Sequence, residues 1–427
     1  MKYAIATLGC KVNQFESHAI ETMLAALGYE STEAGDADVV IINTCAVTSE
    51  SGRKSRQAVR RLKKENPGAL TAVCGCFSQI SPGALDEIGA DLIYGSADRG
   101  GFVADIDRLL RERVRIKSVD DPFHRREFET LPAGAPDGRA RAYIKIQDGC
   151  DNFCTYCVIP YARGRVRSMP LAEIRRQAGE LNEQEFREIV VTGIEIASYG
   201  KDLRDGSGLA DAVCAAAESA PGARIRLGSL EPTAVTEDFC RRLALCGNIC
   251  AHFHLSMQSG CDSVLAAMRR KYDTSRFMQS VELLRTYFPG CGLTADMICG
   301  FPGETESEHG QSLGFIRRCG FSAMHIFPYS PRPGTKAAAL PGHLTRAEKD
   351  SRAHSAQLVA EEMQLDYLRA QVGRTLPVLF ETGTAGLWHG HADNYCEVCA
   401  AGSEMRGIVR NVSITGLEGK KLIGNVI

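Results

Sequence analysis

The chain has 427 residues, of which 44% are hydrophobic and 24% charged, and its formal net charge is −2. A chain of this length exceeds one hydrophobic core, so we expect two or three domains. The small net charge excludes a protein that is basic throughout, so any surface for nucleic acid must be local. No apolar run approaches the roughly 20 residues of a membrane span. The apolar run at the start of the chain is interrupted too early for a signal peptide. This predicts a cytosolic protein with no membrane partner.

Cysteine occurs 17 times in the chain. In the reducing cytosol these thiols stay free, and their odd number argues against a disulfide framework. With disulfides excluded, the roles that remain for these cysteines are metal binding and burial as small apolar side chains.

The first third of the chain predicts alternating strands and helices. Its strand-like apolar runs are YAIATLG, DVVIINT, LTAVCG and DLIYG. In the first helix, Asn13 and Glu16 resemble a capping pair and Gly28 marks the end. The apolar face of this helix repeats every four residues, at Phe15, Ala19, Met23 and Leu27. This alternation predicts a doubly wound parallel sheet over residues 1–115.

Three cysteines follow the first three strands of this sheet, and we call Cys10, Cys45 and Cys76 the N-terminal triplet. The carboxyl ends of parallel strands meet at one edge of a sheet, so we expect these thiols to lie together there. Cys74 is a second candidate in the same run, but it lies within the strand, which favours Cys76. Three independent buried cysteines are the alternative interpretation.

Residues 116–138 lack periodicity and carry proline, glycine and charge, which predicts a linker. Six strand candidates follow, separated by helical stretches: AYIKIQ, EIVVTG, RIRLGSL, HFHLSMQ, LTADMICG and AMHIFPYS. Six strand–helix units, against the eight of a closed barrel, predict an open (β/α)6 partial TIM barrel over residues 139–368.

The first of these strands is followed by Cys150, Cys154 and Cys157, which we call the central triplet. A structural zinc site needs four ligands, and no fourth cysteine or histidine is near. Three thiolates around a four-iron cluster leave one iron open, and the amino and carboxylate groups of S-adenosylmethionine can occupy it. The CxxxCxxC spacing, with Tyr156 before the third cysteine, resembles the radical S-adenosylmethionine superfamily. The N-terminal triplet also lacks a fourth ligand, which favours a second open cluster.

Polar residues also follow or end the other strands of the predicted partial barrel. Such positions face the mouth of a barrel, where a cofactor would bind. The cofactor-binding candidates are Tyr156, Thr192, Gly193, Glu195, Ser229, Glu231, His254, Ser256, Gln258, Asp296, Met297 and Tyr329. For any one of them alone, a satisfied buried polar group is the more common role, but together these positions favour a site.

Two further regions bear on an RNA partner. The segment SGRKSRQAVRRLKKE predicts a helix whose cations share one face, at Arg53, Arg56, Arg60, Lys63 and Lys64. Such a face could neutralise phosphates or could simply be solvated. Residues 369–427 predict a small β-barrel whose charges balance. There Trp388 could stack on a base or pack in the core, and we interpret Cys396 and Cys399 as structural.

The chain resembles the methylthiotransferase family of radical S-adenosylmethionine enzymes over nearly its whole length. The motifs that carry the resemblance are TLGCKVNQFE, INTCAVT, CGCFSQ, GCDNFCTYCVIPYARGRVRS, VVTGIEIASYG, GSLEP, HFHLSMQSG, DMICGFPGE and FPYSPRPGT. The tail resembles the TRAM domain, a small RNA-binding barrel, chiefly through GHADNYCEV.

This resemblance implies two [4Fe–4S] clusters, a radical cluster on the central triplet and an auxiliary cluster that carries sulfur on the N-terminal triplet. It also implies that one S-adenosylmethionine methylates the sulfur and a second generates the radical. A methylthio group then replaces a hydrogen on an unactivated carbon of the substrate.

The opening motif is most similar to the branch that modifies N6-threonylcarbamoyladenosine just 3′ of a transfer RNA anticodon. Sister branches act on isopentenyl-adenosine in transfer RNA or on an aspartate of a ribosomal protein. The resemblance thus implies an anticodon stem-loop as substrate and an electron donor such as flavodoxin or ferredoxin, and we expect a monomer. An iron–sulfur protein that binds RNA or senses redox state without turnover is the alternative of a different class.

Overall fold

The computed structural model describes residues 1–134 and 140–427 and begins with a six-stranded parallel sheet. Its strand order is β2-β1-β3-β4-β5-β6. The strands are β1 (Lys2–Thr7), β2 (Glu30–Ser31), β3 (Val39–Thr44), β4 (Leu70–Gly75), β5 (Leu92–Tyr94) and β6 (Ile116–Ser118). The helices are α1 (Lys11–Ala26), α2 (Ser49–Glu65), α3 (Cys76–Ile80), α4 (Pro82–Ile88) and α5 (Arg99–Glu112).

Apolar residues cover both faces of this sheet, as its alternating strands and helices require. α1 and α5 pack on one face, and α2, α3 and α4 pack on the other. The predicted doubly wound parallel sheet is therefore confirmed. The last strand, β6, falls within the stretch predicted as a linker, where three residues are too few to show a period.

The first helix differs from its prediction at its start, whereas its end is as predicted, because Leu27 is the C-cap and Gly28 follows it with φ +80°. α1 begins at Lys11 with Cys10 at the N-cap, so Asn13 and Glu16 lie inside the helix and are buried. The predicted capping pair is wrong, because both side chains instead meet partners far along the chain. Leu27 follows the last helical residue and is exposed.

The central domain contains all six predicted strands. Its strands are β7 (Arg141–Asp148), β8 (Arg167–Ser168), β9 (Glu188–Gly193), β10 (Arg224–Leu227), β11 (Ser229–Leu230), β12 (His252–Gln258), β13 (Gly292–Cys299) and β14 (Ala323–Pro328). Its helices are α6 (Ile159–Arg163), α7 (Leu171–Glu183), α8 (Leu209–Ser219), α9 (Glu237–Leu245), α10 (Asp262–Ala267), α11 (Thr274–Tyr287), α12 (Glu306–Cys319) and α13 (Arg346–Arg369).

These strands form the predicted partial barrel. Parallel pairing runs from β7 through β9 to β10 and from β11 through β12 and β13 to β14. β10 and β11 are two halves of the predicted third strand, which is interrupted at Gly228. The short strand β8 pairs antiparallel with β7 at one edge, and β14 forms the other. Among the described residues the barrel therefore stays open between these edges.

Side chains alternate between the two faces of each strand. The outward face of β7, for example Ile144, packs with the surrounding helices in the main core. The inward face includes Tyr143, which packs with Val190 of β9 and Phe15 of α1. Helix α1 of the N-terminal domain therefore enters the lumen of the partial barrel.

The C-terminal domain is a closed five-stranded barrel with the order β15-β16-β17-β19-β18, which confirms the predicted small β-barrel. Its strands are β15 (Thr375–Thr384), β16 (Leu387–Ala392), β17 (Glu397–Ala401), β18 (Val409–Glu418) and β19 (Lys421–Val426). Arg224 and Arg226 donate to carbonyl oxygens of this barrel, at His391 and Ala392. Both arginines lie in the short strand β10, on the side of the sheet that faces the lumen.

None of the helices in the described part of the chain combines the length and the apolar character that crossing a membrane requires.

Candidate active site

The central triplet lies in the loop between β7 and α6, and each thiol receives a hydrogen bond. The backbone N–H of Asn152 donates to Cys150 Sγ at 3.5 Å, and that of Ile159 donates to Cys157 Sγ at 3.4 Å. Arg270 Nη1 lies 3.1 Å from Cys154 Sγ. Donors aimed at sulfur stabilise thiolates, which are the form that binds iron.

The backbone of this loop is held in one conformation. Gly149 has φ +74°, and a Cβ there would lie 1.8 Å from the carbonyl oxygen of Arg165, so only glycine fits. Thr155 donates from its backbone N–H to Met268 at 3.1 Å and from its hydroxyl to Ala267 at 2.9 Å. The three sulfur atoms are therefore positioned before any cofactor binds.

Burial raises the pKa of Cys150 and of Cys157 to about 12. Both thiols therefore hold their protons at neutral pH in the absence of a bound cation. Binding of iron must release these protons, as in other thiolate sites.

The N-terminal triplet gathers at the carboxyl edge of the sheet. Cys10 caps α1, Cys45 follows β3, and Cys76 begins α3. Cys10 Sγ lies 3.8 Å from Asn13 Oδ1, and Arg163 contacts both this oxygen at 3.3 Å and Cys76 Sγ at 3.2 Å, so Cys10 and Cys76 flank one guanidinium. Gly9 allows Cys45 to approach as well, because a Cβ at residue 9 would lie 2.8 Å from Cys45 Sγ. Cys74 lies in the core on one face of the sheet, whereas Cys76 packs on the other.

A buried ionic cluster lies beneath the N-terminal triplet. Arg163, from α6 of the central domain, donates from Nε to Cys76 Sγ at 3.2 Å and binds Glu16 with both terminal nitrogens. Glu16 also forms ion pairs with Arg99 at 3.1 Å and with Lys145 at 3.3 Å. Burial opposes the charge of Glu16, but the three cations outweigh burial and lower its pKa to about 2. The cluster therefore joins both domains below the thiols.

A cavity of about 270 Å³ is lined by both domains and includes Cys157 of the central triplet in its wall. The N-terminal domain contributes Val47 and Thr48, which closely follow Cys45. The central domain contributes the remaining residues: Tyr156, Cys157, Gln258, Asp296, Ile298, Phe327, Pro328, Tyr329, Ser330 and Arg332. Groups bound at the two triplets would therefore face one shared space.

Two buried polar atoms of the cavity wall lack partners. Tyr329 OH and Arg332 Nε make no hydrogen bond to any described residue, although Tyr329 is only 4% exposed and Arg332 only 9%. Arg332 also donates from Nη1 to the carbonyl oxygen of Thr48 at 2.9 Å. Orphaned buried donors are costly unless something else satisfies them, so this wall fits a polar ligand.

The remaining sequence-predicted residues fall into two groups. Near the central triplet, Glu231 accepts from Asn152 at 2.8 Å, and burial together with the charge of Glu231 raises the pKa of Glu195 to about 7. The backbone N–H of Glu195 also donates to Gln147. The other members of this group are Thr192 and Gly193, which end β9, and Ser229, which begins β11.

The second group lies on β12 and β13. His254 contacts Asp296 at 3.2 Å inside the lumen. Gln258 ends β12 with φ +66°, and the carbonyl oxygen of Ser256 accepts from Arg270. Met297 lies in the hydrophobic core instead of at the mouth, because neighbouring residues of a strand point to opposite faces.

Three contributors to the site were missed by the sequence prediction, namely Glu16, Arg270 and Arg332. Glu16 and Arg332 lie within the quoted motifs, and Arg270 lies outside them, before a helix. Their roles depend on partners far along the chain, which spacing does not reveal.

The predicted RNA-facing residues are partly engaged within the protein. α2 carries the basic face, but Arg53 pairs with Glu50 at 2.5 Å and Lys63 with Asp91 at 3.6 Å. In the C-terminal barrel Trp388 lies in the core, and both Cys396 and Cys399 are buried.

No group of three His, Cys, Asp or Glu side chains is close enough to hold a single metal ion in residues 1–134 and 140–427. Thiolates that each bind a different iron of a cluster lie farther apart than thiolates that share one ion. The finding is therefore compatible with clusters at both triplets.

Family comparisons agree with this architecture. The description "Radical SAM superfamily" matches residues 144–316, and "Uncharacterized protein family UPF0004" matches residues 2–95. A solved radical S-adenosylmethionine methyltransferase, TsrM from Kitasatospora setae, has a TM-score of 0.56 at 13% identity and covers 79% of this chain and 77% of its own. That likeness shows the fold alone. The fold and the site define a radical S-adenosylmethionine enzyme.

Relatives at higher identity define the family. Threonylcarbamoyladenosine tRNA methylthiotransferase MtaB of Bacillus subtilis is 37% identical over 420 residues, which cover 96% of this chain and 93% of that protein. Its namesake in Thermotoga maritima is 36% identical, with 88% and 86% covered. The tRNA-2-methylthio-N(6)-dimethylallyladenosine synthase of Syntrophotalea carbinolica is 33% identical, with 89% and 88% covered. This chain belongs to the radical S-adenosylmethionine methylthiotransferase family, whose cofactors are S-adenosylmethionine and [4Fe–4S] clusters.

Proposed function

We propose that this protein is a transfer RNA methylthiotransferase that replaces the hydrogen at C2 of N6-threonylcarbamoyladenosine, just 3′ of the anticodon, with a methylthio group. The observation that carries the proposal is the cavity that both domains line. A base in this cavity would contact Cys157 of the central triplet and the residues Val47 and Thr48, which closely follow Cys45. The choice of base is supported by the relatives named for threonylcarbamoyladenosine, whose length this chain nearly covers.

One [4Fe–4S] cluster is assigned to the central triplet and a second to the N-terminal triplet. When bound, these clusters and S-adenosylmethionine supply a 5′-deoxyadenosyl radical at the first site and methylated sulfur at the second. The donors on Cys150, Cys154 and Cys157 hold the thiolate charge at the central triplet. At the N-terminal triplet the Arg163 guanidinium does the same for Cys76.

The cavity walls suit an adenine base. Val47 and Phe327 are 51% and 44% exposed although both are apolar, and both line the cavity. Exposed apolar and aromatic side chains can stack on the faces of a base. The unpaired atoms Tyr329 OH and Arg332 Nε can meet its polar edge.

The basic face of α2 is assigned to the anticodon stem-loop. α2 begins at Ser49, directly after the cavity residue Thr48, and its exposed cations Arg60 and Lys64 have no partner among the described residues. Cations in this position can neutralise phosphates on either side of a base held in the cavity. A transfer RNA substrate and a reductant such as flavodoxin or ferredoxin are both found in the cytoplasm, where we expect a monomer to act.

Nucleoside mass spectrometry of transfer RNA tests the substrate. In a strain that makes N6-threonylcarbamoyladenosine but lacks its own methylthiotransferase, expression of this chain should convert that nucleoside to its 2-methylthio form. A gain of 46 mass units on isopentenyl-adenosine alone, roughly the mass of CH₂S, would assign the sister substrate. No gain on either nucleoside would contradict a transfer RNA substrate.

Replacing all three cysteines of the N-terminal triplet with alanine separates the two assigned clusters. The variant should keep about half of its iron after anaerobic reconstitution, because the central triplet still binds one cluster. It should still form 5′-deoxyadenosine but transfer no methylthio group. Cys74→Ala is the matched control and should keep its full iron, since Cys74 lies in the core. Undiminished iron in the triple variant would remove the second cluster from the proposal.

A further inference from the structure

Lys11 lies beside Cys10 of the N-terminal triplet, and the proposed function above assigns it no role. It directly follows Cys10 and is the first residue of α1. Phe15, four residues later and so on the same face of the helix, packs against Tyr143 and Val190 inside the partial barrel. The side chain of Lys11 therefore faces the lumen, one helical turn from Phe15.

Lys11 lies among charged groups that already have partners. The charges that act on it belong to Arg226, Arg141, Glu188 and Asp296. Both acids are engaged elsewhere. Glu188 binds three arginines, at positions 141, 224 and 226, and Asp296 contacts His254. Neither of these two acids therefore pairs with the positive charge of Lys11.

The other cations near the cavity and the two triplets bind groups of the protein itself. Arg163 binds Glu16, Arg270 donates to Cys154, and Arg332 donates to Thr48. The side chain of Lys11, by contrast, is exposed and makes no hydrogen bond or ion pair to any residue of 1–134 or 140–427. Asp296, which acts on Lys11, also lines the cavity that both domains share. Lys11 is thus a cation that a bound molecule can reach.

We propose that Lys11 binds the carboxylate of the threonylcarbamoyl group and selects an acidic N6 substituent over an apolar one. This inference rests on the proposed function, because the threonyl carboxylate is the one anionic group of that base. An isopentenyl group offers no charge to Lys11 and would therefore gain no ion pair from the ammonium. Specificity would then arise where the substituent leaves the cavity, beside the first cysteine of the N-terminal triplet.

A charge-assisted hydrogen bond of this kind corresponds to roughly 10- to 100-fold in affinity. The experiment measures binding of the reconstituted holoenzyme, without S-adenosylmethionine, to a fluorescent anticodon stem-loop. One RNA carries N6-threonylcarbamoyladenosine and a second carries its methyl ester, which removes the carboxylate charge and adds one methyl group. The proteins are wild type, Lys11→Met, Lys11→Arg and the control Lys117→Met, which removes an exposed lysine paired with Asp86.

The wild type and the control should bind the acid roughly 10- to 100-fold more tightly than the ester. Lys11→Met should bind both RNAs with the affinity that the wild type has for the ester, and Lys11→Arg should retain a preference for the acid. Equal binding of acid and ester by the wild type would overturn the inference without requiring any variant to fold. A preserved preference in Lys11→Met, with unchanged iron content, would overturn it as well.

Turnover distinguishes this inference from the proposed function. If the wild type methylthiolates the threonylcarbamoyl RNA but treats acid and ester alike, only the role of Lys11 falls. If the wild type acts on isopentenyl-adenosine RNA and not on the threonylcarbamoyl RNA, the proposed substrate fails and the role of Lys11 fails with it.

Discussion

Replacing Cys154 with alanine is expected to abolish the formation of 5′-deoxyadenosine. This is the largest expected effect on activity. Cys154 is the buried member of the central triplet and the one that receives a hydrogen bond from a charged side chain, Arg270. Without its thiolate, a four-iron cluster would retain only two protein ligands. The Arg270 guanidinium would also lose its anionic partner in a buried site, which adds to the defect.

The measurement is chromatography of 5′-deoxyadenosine after anaerobic incubation with S-adenosylmethionine and dithionite. Dithionite supplies the electron directly, so a lost product cannot be assigned to a lost protein reductant. The matched control is Cys214→Ala, on helix α8, where the thiol contacts Cys246 and not the site. Product formation by Cys154→Ala at a rate near that of the control would contradict the assignment of the central triplet.

Replacing Glu16 with glutamine should cause the largest loss of stability. Glu16 binds Arg163, Arg99 and Lys145, all of which are buried. Removing one partner of a buried ionic group leaves uncompensated charge, and we expect the free energy of unfolding to fall by about 3–5 kcal/mol. The pKa of Glu16 is lowered to about 2 from 4.5. Its contribution is therefore complete above about pH 4.5 and is lost as pH falls through about 2, so the whole effect is seen at neutral pH.

Urea unfolding followed by far-ultraviolet circular dichroism under anaerobic conditions measures this loss. Tryptophan fluorescence would be a poor probe, since the one tryptophan, Trp388, lies in the C-terminal barrel. The control Glu112→Gln breaks an exposed pair with Arg108 and should cost less than about 1 kcal/mol. A Glu16 variant as stable as the control would mean that the buried cluster does not hold the two domains together. The variant should also retain less iron, because Arg163 would lose the anion that orients it toward Cys76.

Strands and cysteines were predictable because their signals are local. Each predicted strand of the partial barrel was a continuous apolar or alternating run, and all of them formed. Cys150, Cys154 and Cys157 lie within eight consecutive residues, so their common site can be inferred from spacing alone. Cys10, Cys45 and Cys76 are far apart, but each follows a strand, and parallel pairing brings such positions to one edge.

The errors have equally specific causes. Asn13 and Glu16 match a local capping pattern, but a helix start one residue after Cys10 puts both inside the helix. Met297 could have been separated from Asp296 by the period of two along a strand, since only one of two neighbours can face the lumen. The other six residues of strand β13 do not alternate clearly between polar and apolar side chains. The general expectation that residues near strand ends face the barrel mouth was therefore applied to both Asp296 and Met297.

The amino-acid sequence by itself determined the order of the domains, the strands that build them and the six thiols that gather in two triplets. Those features depend on short-range periodicity and on residue types with one dominant chemistry. Only the tertiary structure decided which charges surround the thiols. Glu16 meets Arg99, Lys145 and Arg163 across 83, 129 and 147 residues of chain. The pairs with Lys145 and Arg163 exist only when the two domains pack together, because desolvation at their interface selects the charges that can remain buried.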